Sequence, residues 1–258
     1  MEDLLWCLGR SSLRKQGECH TWVKNDLSEV TSVDIANHLE LVNFIGTYFP
    51  NDIIVSEEEV NDNPEYTFTK DAGVWYVDPL DGTREYTMGL NEWCIQVCRW
   101  DIYGPEQAWV WEARDGGTLW SWSRRVGKVY YEKSDHLLHA LPMLEDRFEC
   151  IHVISRGHPD EWTQKKLKMF PGQEVMSGSA GVKVCKILMG EATHYWNGSG
   201  KMKRWDWAAP YAIAKGAGIH VYHELEEGQF VEWMPKFMEQ PTVMTVDERV
   251  LFTSHTSI

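Results

Sequence analysis

The chain has 258 residues, 43% of them hydrophobic, and a formal net charge of −14. That length and apolar content suffice to bury a full core, and the acidic balance argues against a nucleic-acid polymer or an anionic membrane surface as partner. No run of apolar residues long enough to span a bilayer and no basic segment ahead of a cleavage site is present, so the expectation is a soluble, cytoplasmic protein.

In chain order, residues 1–22 carry helical spacing, and 34–49 repeat it with Leu39, Val42 and Ile45 as an apolar stripe. Ile53-Ile54-Val55 is a short strand followed by Ser56-Glu57-Glu58-Glu59, three consecutive carboxylates that would ordinarily form a solvated face. Residues 60–72 are polar and read as an exposed loop. Residues 74–77 form an apolar, β-rich run that ends in Asp78-Pro79-Leu80-Asp81-Gly82-Thr83.

This hexapeptide is the most informative stretch. Pro79 stiffens the turn, so Asp78, Asp81 and the Leu80 carbonyl can converge on one point, an all-oxygen set suited to a hard cation such as Mg²⁺. Gly82 permits a tight bend, and a helical turn opening at Thr83 would offer unpaired N–H groups to an anion. Asp-Pro and Asp-Gly are also ordinary turn dipeptides, so the argument needs further carboxylates. Glu57 follows one strand, and Asp206, between Trp205 and Trp207, opens the small-residue apolar run 208–219, where it could equally be a helix N-cap. Together these residues supply four carboxylates, enough for two or three Mg²⁺ ions.

Between these motifs, residues 93–119 suggest antiparallel strands broken at 101–105 and 115–117, and 182–189 a helix ended by Gly190. Trp109/Trp111 and Trp120/Trp122 alternate with the period of one strand face, and Cys94 and Cys98 share a face of their strand. The six cysteines lack paired zinc spacing and read as buried free thiols; His136/His139 and His220/His223 have no supporting carboxylate motif.

The motifs resemble those of the lithium-sensitive, Mg²⁺-dependent phosphatase superfamily of inositol monophosphatase, and within it the 3′(2′),5′-bisphosphate nucleotidases. Asp-Pro-Leu-Asp-Gly-Thr at 78–83 is similar to its central motif, and Arg84-Glu85-Tyr86 to the nucleotidase continuation. Val55-Ser56-Glu57-Glu58, Trp205-Asp206-Trp207-Ala208-Ala209-Pro210 and the stretch from Lys24 to Asp34 resemble three others. Glu29, Val33 and Gly157 stand where the family has Pro, Ala and Ser, and the likeness fades past residue 219.

The resemblance implies an α/β (α+β) fold, a layered α-β-α-β-α sandwich of the sugar-phosphatase type, with an N-terminal half (1–149) carrying most metal ligands and a C-terminal half (150–258) carrying substrate contacts and Asp206. It implies metal ligation by Glu57, Asp78, the Leu80 carbonyl, Asp81 and Asp206, with Asp34 and Thr83 activating water. Ser155-Arg156-Gly157-His158 and Gly178-Ser179-Ala180-Gly181-Val182-Lys183 resemble the nucleotide-binding stretches, which points to Gly82, Thr83, Ser155, His158, Ser179 and Lys183 as substrate contacts. The implied activity removes the 3′-phosphate of 3′-phosphoadenosine 5′-phosphate, and that of its phosphosulfate, in a monomer or homodimer. An inositol or sugar monophosphatase and a non-catalytic phosphometabolite-binding protein are the alternatives.

Overall fold

The structure, a computed structural model, describes residues 1–24, 27–59, 69, 72–142, 144, 150–157, 159–226, 229–232 and 241–246. Helix α1 (Glu2–Lys15) leads to a hairpin of β1 (Thr21–Val23) and β2 (Glu29–Thr31), so the first helix stops well short of residue 22. Helix α2 (Ser32–Tyr48) begins two residues before the helical spacing does, because the Thr31 hydroxyl caps the N–H groups of Val33 and Asp34 while the Asp34 carboxylate accepts the Thr31 N–H.

A seven-stranded sheet follows: β3 (Ile53–Ser56), β4 (Val74–Asp81), β5 (Cys94–Asp101), β6 (Gly104–Glu112), β7 (Thr118–Ser123), β8 (Val129–Lys133) and β9 (Leu138–Ala140), in that spatial order. Only β3 and β4 are parallel; the rest is an antiparallel meander. The short helix α3 (Thr83–Thr87) sits between β4 and β5.

The second sheet has the order β11 (Gln173–Ser177), β10 (Ile151–Ser155), β12 (His194–Asn197), β15 (Thr242–Thr245), β13 (His220–Glu226), β14 (Gln229–Glu232). Residues beyond 219, where the sequence likeness fades, therefore complete this sheet, with β15 inserted antiparallel between β12 and β13. Helices α4 (Glu161–Met169), α5 (Ala180–Leu188) and α6 (Arg204–Gly216) accompany it.

Strand alternation separates the interior into layers. Trp75 and Val77 of β4, Ile95 and Val97 of β5, and Trp109 and Trp111 of β6 pack with Leu5, Trp6, Leu41 and Ile45 of α1 and α2. The intervening residues, Val74, Tyr76, Cys94, Cys98, Ala108, Val110 and Trp120, face α5 and α6 together with Val153, Tyr195, Val221 and Met244 of the second sheet. A smaller core of Trp196 and Val243 meets Trp162, Leu167 and Phe170 of the α4 region. The result is the α-β-α-β-α sandwich, and the tryptophan pairs are core residues on opposite faces of the first sheet. All six cysteines are free thiols, though Cys7 is exposed and Cys19 and Cys150 only partly buried. Among the described residues no helix is long and apolar enough to cross a membrane.

Candidate active site

The Asp-Pro-Leu-Asp motif ends β4, where the pairing with β5 shifts register between Asp78 and Asp81. This irregularity gathers both carboxylates and the Leu80 carbonyl at one end of the first sheet. Gly82 then adopts φ +94° and caps α3 without a side-chain bond to its first N–H groups. A Cβ at this position would come within 3.0 Å of the Glu92 carbonyl and 3.2 Å of Trp93 Cα, so the turn has room for glycine alone.

Thr83 Oγ1 lies 3.0 Å from Asp34 Oδ1 and 3.1 Å from the Leu80 carbonyl, with one hydroxyl hydrogen to donate between them. Asp34 is fully buried and is fixed through its other oxygen by the Thr31 N–H at 2.9 Å. Burial raises its pKa, with the Thr31 bonds opposing that effect.

Asp78, Asp81, Asp206 and Glu57 form a mutually repelling group. Burial, then the charges of Glu57, Asp81 and Asp206, push Asp78 well above the usual carboxylate range. Asp206 is raised likewise by burial and by Asp81, and shares a hydrogen bond with Asp78. Glu57 is raised to about 7 by burial, although Lys24 Nζ lies 3.0 Å from its Oε1. Lys24 also reaches Glu58 Oε1 at 2.8 Å, and this attraction outweighs its burial and lifts its own pKa.

Asp206 occupies the third position of α6, accepting the Lys203 N–H at 2.7 Å, because extended Lys203 supplies the N-cap that the sequence left open to Asp206 itself. Asp81 Oδ2 accepts from Ser179 Oγ at 2.7 Å and from the Gly181 N–H at 3.2 Å. Among the described residues no three His, Cys, Asp or Glu side chains form a ready-made cation cage. The donor set nevertheless fits a hard divalent cation: it is all carboxylate and carbonyl oxygen, and its buried anions must be neutralised by protons or by cations.

A cleft of about 600 Å³ opens over this group, lined by Glu57, Asp81, Gly82, Thr83 and Arg84 on one side and by Ser155, Arg156, Gly178, Ser179 and Lys183 on the other. Ser155 ends β10 and is exposed. Ser179 holds φ +30° because its hydroxyl both caps α5 through Val182 N at 3.2 Å and donates to Asp81. Lys183 is buried, its ammonium 5.2 Å from the centre of the Tyr195 ring. Burial lowers its pKa, with Asp81, Glu85 and Asp206 opposing. His158, Asn25-Asp26 of the upstream motif and the 60–72 loop apart from Thr69 and Ala72 lie outside the described residues.

Sequence reasoning missed Glu92, Arg156 and Gln96. Arg156 pairs with Glu92 and lies 3.9 Å from Glu85, joining the loop before β5 to the end of β10. The signal for Gln96 was an amide inside an apolar strand.

A five-layer sandwich with an acid-lined cleft at the sheet ends defines a fold of the sugar-phosphatase class. The chain belongs to the inositol monophosphatase family, which matches residues 10–255. It is 28% identical over 222 residues to the 3′(2′),5′-bisphosphate nucleotidase CysQ of Shigella flexneri, covering 83% of this chain and 82% of that one. It is 28% identical over 172 residues to a 3′-phosphoadenosine 5′-phosphate phosphatase of Mycobacterium bovis, covering 66% and 60%. The structure of CysQ from Bacteroides thetaiotaomicron superposes with a TM-score of 0.73 at 21% identity, over 96% of each chain. An IMPase/NADP phosphatase solved with Mg²⁺ and phosphate has a TM-score of 0.67 at 18% identity, over 96% of this chain and 91% of that one.

Proposed function

We propose that the protein is a Mg²⁺-dependent phosphomonoesterase that removes the 3′-phosphate of 3′-phosphoadenosine 5′-phosphate and of its phosphosulfate. The observation that carries this reading is the Thr83–Asp34 hydrogen bond beside a buried acid group, with Thr83, Glu57 and Asp81 lining one cleft. The names of the relatives support the nucleotide.

Glu57, Asp78, the Leu80 carbonyl, Asp81 and Asp206 would hold two or three Mg²⁺ ions. When bound, these neutralise phosphate oxygens, acidify water and stabilise the leaving alkoxide. The chain's own residues handle the proton: Thr83 Oγ1 accepts it from the attacking water while passing its own hydrogen to Asp34 Oδ1. The raised pKa of Asp34 suits it to keep that proton. The uncapped N–H groups at Gly82 and Thr83 would meet phosphate oxygens.

Ser155, His158, Ser179 and Lys183 would hold the nucleotide, the last countering its second phosphate. In this reading residues 1–149 supply most of the chemistry, and 150–258 the substrate contacts and Asp206. The six free thiols suit a reducing, cytoplasmic setting.

The test is phosphate release from 3′-phosphoadenosine 5′-phosphate with Mg²⁺, with excess EDTA, and against inositol 1-phosphate. Mg²⁺-dependent release with the nucleotide preferred is expected. Preference for the inositol phosphate would replace the substrate, and no release from either would leave a binding protein.

A further inference from the structure

Gln96 sits in the middle of β5, fully buried and paired in register with Asp78. Its Nε2 lies 3.2 Å from Asp78 Oδ2, 3.3 Å from Asp81 Oδ2 and 3.4 Å from the Asp206 carbonyl. The amide has two hydrogens for these three acceptors. Its Oε1 is buried without a hydrogen-bond partner and abuts the start of α5, where a Cβ on Gly181 would come within 3.0 Å of it. Turning the amide over would set its carbonyl against three other oxygens, so electrostatics favours the orientation with Nε2 towards them. A buried amide with one end unpaired is less favourable than an apolar side chain of the same size, so packing does not account for it.

Pro210 supplies the second observation. It lies inside α6, four residues after Asp206, and has no N–H to donate. The Asp206 carbonyl thereby loses its helical partner, and the amide that reaches it comes from Gln96 on another element.

We infer that Gln96 is a positioning residue that ties the β4 acids Asp78 and Asp81 to the α6 turn bearing Asp206, and that Pro210 leaves the Asp206 carbonyl open for that tie. The inference rests on the metal reading above. A neutral donor is required, because lysine or arginine here would also donate but would neutralise the carboxylates a cation needs. Gln96 is not among the residues that line the cleft; it acts by holding three oxygens from two elements in one place.

The test titrates Mg²⁺ into substrate-free protein, followed by thermal shift, and separately into the phosphate-release assay. Gln96→Met should raise the Mg²⁺ concentration at half-effect about tenfold in both, the scale of one hydrogen bond to a charged group. Gln96→Asn, with the amide on a shorter arm, should fall between Met and wild type. At saturating Mg²⁺ the nucleotide KM should stay within about twofold. Pro210→Ala restores a helical donor, so adding it to Gln96→Met should cost less than the product of the two single effects.

Unmoved half-effects in folded Met and Asn variants, whatever their melting temperatures, would overturn the inference while leaving the metal reading intact. Independent effects of Gln96→Met and Pro210→Ala would overturn the role of the proline. A wild-type protein that shows no Mg²⁺ shift overturns the metal reading and the inference with it.

Discussion

Thr83 and Asp34 are 49 residues apart in sequence, yet the Thr83 hydroxyl reaches Asp34 Oδ1 at 3.0 Å, joining the first turn of α2 to the residue just past the Gly82 bend. Asp34 has its other oxygen committed to Thr31, so Oδ1 is the one turned to Thr83. Asp34→Asn and Thr83→Ala should each lower kcat by about 10² to 10⁴, the range of general acid–base catalysis, with KM within a few fold. Because both act on one proton, the double variant should lose no more than the worse single variant. Steady-state kinetics on the three proteins checks this; a double loss equal to the product of the single losses would remove the relay.

Metal-free stability should fall as pH rises. Glu57 has a folded-state pKa of about 7 against an ordinary 4.5, and Asp34, Asp78 and Asp206 are also raised, so the folded chain binds more protons than the unfolded one through this window. Their destabilisation is absent below the unfolded values and grows as pH climbs through the folded ones. Melting curves from pH 5 to 8 in EDTA should slope downward, and excess Mg²⁺ should raise the melting temperature most at the alkaline end. A flat profile, or no metal effect, would show that these acids do not share the proposed site.

Lys183→Ala should raise KM for 3′-phosphoadenosine 5′-phosphate about tenfold to a hundredfold, the scale of a charge-assisted contact of roughly 1.5–3 kcal/mol. Inositol 1-phosphate, with no second phosphate, should be little affected. Equal loss on both substrates would assign Lys183 to the scissile phosphate instead.

Gly82→Ala should destabilise the protein by about 1–2 kcal/mol or more, since φ is +94° and the nearest atoms to a new Cβ include backbone that has no room to swing away. Activity should fall further than stability does, because Thr83 follows directly on that bend. Chemical denaturation alongside kinetics separates the two; a fully active, equally stable variant would show that the turn tolerates a side chain.

Local pattern determined a good part of this molecule. The alternation in 93–119 is sufficient to place Trp109 and Trp111 on one face of their strand, because a strand's side chains alternate whatever it pairs with. That Trp120 lies on the opposite face of the sheet follows from its pairing with Val110. The Asp78–Thr83 turn was legible for a similar reason: Pro79 and Gly82 restrict the backbone locally. Helix ends were less so, since α1 yields to the β1–β2 hairpin and α6 starts from Lys203, whose N–H the Asp206 carboxylate accepts, so that Asp206 is not itself the N-cap.

The site's outer parts came only with the fold. Nothing near Gln96 in sequence announces that strand register sets it beside Asp78, or that a missing N–H at Pro210 turns the Asp206 carbonyl towards it. The Arg156–Glu92 pair likewise joins loops of the two sheets. Residue type and spacing decide which groups carry charge and where the backbone bends. Which buried charges face one another, and so which must take up protons or a cation, is decided by the packing of β4, β5, α5 and α6, because electrostatic energy depends on distance through space rather than along the chain.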